Sequence, residues 1–166
     1  NYQEAWNLYQ QYSDNTMGVI SDCRFPMEEG GEKVANAGVQ LLKSVRAQDP
    51  FLPLILDSSE EENVRYAVEC DAMFINKNSK SLDHDLSKII LHKFGFGDFI
   101  FRHADTLEPM VRIHNLKELQ DNIFTLPREA LLFHITRNNV SRWLCSRALF
   151  PISEFLKKIT WQSLQD

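Results

Sequence analysis

Met17-Gly18-Val19-Ile20-Ser21-Asp22-Cys23-Arg24-Phe25-Pro26 decides how this chain is read. It begins as a short apolar run suited to a buried strand and ends on an Asp with a Pro four residues later, where the chain must turn. A carboxylate at the C-terminal end of a parallel strand stands where open α/β sheets hold their ligands and their chemistry. An Asp in that place also often does no more than cap or hydrogen-bond a loop. The segments on either side decide between the two readings.

Before this run, Gln3 to Tyr12 lacks Gly and Pro and spaces Ala5, Trp6, Leu8, Tyr9 and Tyr12 as a helical face, which Asp14 and Asn15 break. After Pro26, a polar turn, Met27-Glu28-Glu29-Gly30-Gly31, leads to a second helical pattern from about Lys33 to Ala47, with Val34, Ala37, Leu41, Leu42 and Val45 as its stripe. Leu52-Pro53-Leu54-Ile55-Leu56 reads as a second buried strand, tipped by Asp57-Ser58-Ser59. A third helix from about Glu60 to Cys70 carries acidic residues in its first turn, as the helix dipole favours. Ala72-Met73-Phe74-Ile75 is a third strand, leading to Asn76-Lys77-Asn78. Ser81 or Ser79 then caps a fourth helix bearing Leu82, Leu86, Ile89, Ile90 and Lys93.

Short apolar runs alternating with helical patterns indicate parallel strands in βα units. Right-handed crossovers bring the three strand ends, and with them Asp22, Ser58 and Lys77, to one edge of the sheet. From Phe94 the character changes. Phe94-Gly95-Phe96-Gly97-Asp98-Phe99-Ile100-Phe101 reads as a bend entering a short strand, and Asp105 to Pro109 as a loop or helix start. Arg112 to Phe124 has a helical pattern, Pro127 opens a helix through His134, and Ser141–Phe150 and Ile152–Ile159 form short helices parted by Pro151. On its helix His134, with Arg137, Asn138 and Ser141, forms either a polar pocket for a small anion or carboxylate, or a buried hydrogen-bond network locking two helices. The network is favoured, because no second His or carboxylate stands at metal-ligand spacing.

The strand-end residues carry a resemblance. Asp22-Cys23-Arg24-Phe25-Pro26 resembles the phosphoacceptor turn of response-regulator receiver domains, Leu52 to Glu60 is similar to their fourth strand with its Ser/Thr switch, and Phe74-Ile75-Asn76-Lys77 is similar to their fifth. The resemblance implies Asp22 as phosphoacceptor, Lys77 and Ser58 as phosphate-binding groups and Phe74 as the switch aromatic. It also implies Mg²⁺ as the ion, with Asp22 one of its ligands and the family's acidic pair absent from this chain. Asn78 stands where the family has Pro. The expected fold is α/β, a partial receiver-like (flavodoxin-like) parallel sheet over residues 1–93. It begins at the family's second helix and lacks its first two strands, and a mostly helical linker module follows over 94–166.

The second half, through Asn115 to Asp121, His134, Arg137-Asn138, Ser141 to Leu144 and Phe150-Pro151-Ile152, resembles the region behind a receiver-like domain in bacterial phosphoenolpyruvate synthase and pyruvate phosphate dikinase-related proteins. That implies a non-catalytic regulatory module in phosphorelay signal transduction. Its partners would be a histidine kinase or small phosphodonor and a downstream ATP-grasp domain that binds ATP. The alternatives are a degenerate receiver used for docking or dimerisation, and a non-catalytic piece of an ATP- and pyruvate-binding kinase. A sheet reduced to three strands exposes the edge at Met17–Ser21 to self-association.

The totals agree with such a module. The chain has 166 residues, 43% of them hydrophobic and 25% charged, enough for a real core. Residues 1–93 hold nine Lys/Arg against fifteen Asp/Glu and residues 94–166 nine against eight, a distribution unlike a nucleic-acid surface. No apolar run reaches the roughly 18 residues of a membrane span and Asn1-Tyr2-Gln3-Glu4 does not read as a signal peptide, so a cytoplasmic protein is expected. Cys23, Cys70 and Cys145 are far apart and lack metal-ligand spacing, which favours reduced thiols.

Overall fold

The computed structural model of the chain describes residues 1–159. The end of the expected module 94–166, residues 160–166, lies outside them. The chain is a mixed α/β protein that divides into two compact units, Asn1–Ser87 and Lys88 onward. The division falls within a helix, six residues before the boundary expected from the change of composition at Phe94.

In the first unit α1 (Tyr2–Tyr12) is capped by Asn1, whose side chain accepts the Glu4 N–H at 2.8 Å. Strand β1 (Val19–Asp22) follows, then β2 (Phe25–Pro26) and β3 (Lys33–Val34), paired antiparallel, and α2 (Ala37–Gln48). The expected helix from Lys33 therefore starts four residues later, because Lys33 and Val34 pair with Pro26 and Phe25 and return the chain to the sheet. Strand β4 (Leu54–Ser58), a 3₁₀ turn at Glu61–Asn63, α3 (Val64–Glu69), β5 (Met73–Asn76) and the start of α4 (Leu82–His92), the helix in which the division falls, complete the series. Arg46 on α2 ties the far end of this unit, its guanidinium donating to the carbonyls of Asp49, Pro50, Cys70 and Asp71.

The sheet has the order β1-β4-β5, all parallel. Val19 pairs with Leu54 and Asp22 with Asp57, while Asp57 pairs in turn with Ile75. Side chains alternate along a strand, so Val19, Ser21, Leu54, Leu56, Ser58 and Phe74 share one face, and Ile20, Asp22, Ile55, Asp57 and Ile75 share the other. The first face meets α1, α2 and α3 in a core containing Tyr9, Leu42, Val45, Leu54, Leu56 and Ala67. Burying these apolar side chains, at about 25 cal/mol per Å², holds the three strand ends level.

The second unit departs from the expected run of helices. Strands β6 (Phe99–Arg102) and β7 (Pro109–Ile113) form an antiparallel hairpin with an irregularity at Phe101/Arg102. Residues read as loop and helix start are thus a strand. Val111 and Ile113 face Phe101 and Phe99 across the pair, and this burial outweighs the helical spacing that begins at Arg112. Four helices follow among the described residues, α5 (Leu116–Asn122), α6 (Arg128–Thr136), α7 (Asn139–Cys145) and α8 (Phe150–Lys157). Their core holds Phe99, Phe101, Ile113, Leu119, Val140, Trp143 and Leu144. Trp143 anchors the glycine-bearing stretch: its Nε1 donates to the Gly97 carbonyl at 3.0 Å, while Arg147 lies over its ring and donates to the Gly95 and Gly97 carbonyls. Gly95 has φ +88° and lies against the Trp143 backbone, so a side chain there meets both strain and contact.

Among the described residues no helix is long and apolar enough to cross a membrane.

Candidate functional site

Asp22 ends β1, Asp57 is its register partner on β4, and Lys77 follows β5. Because β4 lies between the other two strands, the Lys77 side chain must pass over β4 to reach β1, roughly two strand spacings of about 4.8 Å away. It does so. Lys77 Nζ sits 2.8 Å from Asp22 Oδ2 and 3.8 Å from Asp57 Oδ2. The Asp22 side chain is 49% exposed, so the pair opens to solvent and, as an ion pair, stabilises the fold by at most about 1 kcal/mol.

The two carboxylates differ. Partial burial alone would push Asp22 up, but the Lys77 hydrogen bond, the Arg24 and Cys23 backbone N–H groups and the Lys77 charge outweigh it, and its pKa lies below the ordinary value. Asp57 is pushed up, by burial first, with the Asp22 charge adding to it against Lys77. Its Oδ1 is buried and makes no hydrogen bond among the described residues. Lys77 is raised by its bond to Asp22, and the raised base and lowered acid keep both ionised at neutral pH.

Ser58 stands at the same sheet edge but on the opposite face. It is 4% exposed, and its hydroxyl accepts from Asn63 Nδ2 at 2.9 Å and from the Glu60 N–H at 3.2 Å. Its carbonyl accepts the Lys77 N–H at 2.9 Å, so the two residues meet through the backbone. Phe74 pairs with Leu56 and packs, half-buried, on the core of the first unit. Cys23 is buried beside Asp22 with its thiol directed at the Ala35 carbonyl, and burial pushes that thiol up, away from reactivity. All three cysteines are buried and free.

The expected Mg²⁺ finds no complete donor set here. A hard divalent ion needs about six oxygens, whereas both Asp22 oxygens are engaged, one by an ammonium group and one by a backbone N–H. Asp57 is the one carboxylate paired with Asp22 in register, and no cluster of three or more His, Cys, Asp or Glu among the described residues could hold a metal. The described residues do not fit the ion.

In the second unit His134 is 4% exposed, with Phe99, Phe101 and Phe133 edge-on to its ring. The Arg102 N–H donates to its Nε2 at 2.9 Å, and the Asn139 amide lies 3.1 Å from Nδ1 and accepts from Arg142 on its far side. Burial holds the His134 pKa down to about 4. Arg137 lies over the Phe133 ring, and Asn138, at φ +57°, turns the chain into α7. The geometry is that of the buried network joining α6, α7 and β6. His134 bonds with Arg102 and Asn139, Arg137 donates to the Phe133 carbonyl, and Asn138 accepts from the Ser141 hydroxyl.

Two contributors escaped the sequence reading. In the sequence Asp57 reads only as part of the strand tip Asp57-Ser58-Ser59, although the two-residue period puts Asp57, not Ser58, on the Asp22 face. Gly38, in the first turn of α2, lies so close to β1 that a Cβ there would stand 1.8 Å from the Asp22 carbonyl oxygen. No local pattern announces that approach.

Compared with family models, curated proteins and solved structures, the chain matches none.

Proposed function

We propose that residues 1–87 are a receiver-like phosphoacceptor module in which Asp22 takes a phosphoryl group. The module is a regulatory part of a phosphoenolpyruvate synthase-like, ATP-dependent phosphotransferase. The observation that carries the reading is the 2.8 Å contact between Lys77 Nζ and a half-exposed strand-end Asp22. An ionised Asp22 oxygen attacks the phosphorus of a small acyl phosphate or a kinase phosphohistidine, and the bond to the leaving group breaks. With acetyl phosphate the products are aspartyl phosphate and acetate, with no net proton change. Lys77 neutralises charge on the transferred group as it arrives, the electrostatic role such transfers need. To bind the product the Ser58 hydroxyl must leave Asn63 and turn from the opposite face toward Asp22, and Phe74 repacks with it as a two-state element.

The test is the 166-residue chain with acetyl phosphate, with and without Mg²⁺, read by intact mass and by hydroxylamine sensitivity. Wild type gains one phosphoryl group; Asp22→Asn gains none, and Lys77→Met falls at least roughly tenfold, the scale of one lost charge-stabilising contact. Equal and negligible labelling of wild type and Asp22→Asn would remove the acceptor reading.

A second reading, a docking or self-association platform, draws on β1. This strand forms one edge of the sheet, and Ile20 on it is 47% exposed. On that reading wild type associates with rising concentration in sedimentation velocity and Ile20→Lys does not. A wild-type chain that stays monomeric throughout counts against it.

A further inference from the structure

We propose that Asp57 is a third, opposing member of the acceptor site: it competes for Lys77 with a phosphoryl group on Asp22, and its charge holds the module in the unmodified state. The proposal rests on the acceptor reading of Asp22 and adds a residue whose effect runs against modification.

Three observations carry it. Asp57 is the register partner of Asp22, on the strand that Lys77 must cross, so it lies beneath the lysine's path. Its Oδ2 is 3.8 Å from the same Nζ that contacts Asp22. Its Oδ1 is buried without a hydrogen-bond partner among the described residues, a costly arrangement that packing alone does not require. An apolar side chain between the buried Ile55 and Ile75 would avoid the cost.

The charges set the direction. Resting, two carboxylates share one ammonium group, and Lys77 sits nearer Asp22. Transfer replaces the single charge of Asp22 with about two on the phosphoryl group, and the same Lys77 must then balance three where it balanced two. Asp57 is the carboxylate nearest that added charge within the sheet. A second negative charge on the neighbouring strand, in a site only partly screened by solvent, opposes the product. Removing it favours phosphorylation and frees Lys77 to follow the phosphoryl oxygens.

The experiment compares wild type, Asp57→Asn and Asp57→Glu in the full chain, each with acetyl phosphate at low and high NaCl. The readouts are the steady-state phosphorylated fraction and its decay after donor removal. Asp57→Asn is expected to raise the ratio of phosphorylated to free protein about tenfold, equivalent to roughly 1.4 kcal/mol. Asp57→Glu, which restores the charge, stays near wild type, and high salt narrows the Asn difference. A merely structural role would move neither the salt dependence nor the Glu rescue. Labelling at Asp22 that is equal in all three proteins, or lower in Asp57→Asn at both salts, overturns the role of Asp57 and leaves the acceptor reading intact. Absence of labelling in all three folded proteins overturns both.

Discussion

Gly38→Ala is expected to lower the stability of the first unit by about 3 kcal/mol or more and to abolish labelling of Asp22. Helix propensity alone points the other way, since Ala in a helix is favoured over Gly by about 1 kcal/mol. The contact geometry decides the sign. A Cβ at this position would stand 1.8 Å from the Asp22 carbonyl oxygen, and 2.8 Å from both its carbon and Ser21 Oγ. The clash is with backbone, so no rotamer relieves it, and overpacking of this kind costs about 1–3 kcal/mol even where side chains can yield. Retreat of α2 is also costly, because the Gly38 N–H donates to the Cys23 carbonyl at 3.1 Å while the Cys23 N–H donates to Asp57. Moving the Asp22 carbonyl moves its carboxylate away from Lys77. Urea unfolding should show the drop in midpoint, and a variant within 1 kcal/mol of wild type that still labels would refute the close approach.

The order of the three parallel strands and their helices in the first unit was legible because each of these strands is a short apolar run with its own turn residues, whereas the β2–β3 pair was not. Asp22 and Lys77 could be paired from sequence for the same reason: both stand at ends of parallel strands. The finer geometry was not legible. Whether Ser58 or Asp57 faces Asp22 depends on a one-residue step in register, and the strands prove to extend one to two residues past the apolar runs, through Asp22, Ser58 and Asn76. The hairpin of the second unit was hidden for a different reason. Met110 and Val111 together break the apolar–polar alternation, Pro109 and Glu108 suggest a turn, and only the aromatic face of β6 gives Val111 and Ile113 their reason to extend.

Acidification should destabilise the second unit specifically through His134. An imidazole among Phe99, Phe101 and Phe133 loses hydration, and the Arg102 and Arg137 charges disfavour a second positive group there. The Arg102 N–H already points at Nε2, so a proton on that nitrogen would face another donor. Burial thus lowers the pKa from the ordinary 6.5 to about 4 in the folded chain. Between those values the unfolded chain binds the proton and the folded chain does not, so stability rises with pH. The contribution is complete above pH 6.5 and is lost progressively down to about pH 4, amounting to about 3 kcal/mol over the window. His134→Gln keeps an acceptor for the Arg102 N–H and cannot titrate. It should be less stable at pH 7 yet show a shallower decline between pH 6.5 and 4, when urea unfolding is followed by the indole resonance of Trp143, which packs on Phe99. The carboxylates titrate in both proteins, so the difference in slope belongs to His134. Equal slopes, or a His134 ring that titrates near 6.5 by NMR, would place the imidazole in water rather than in the aromatic core that joins β6 to α6 and α7.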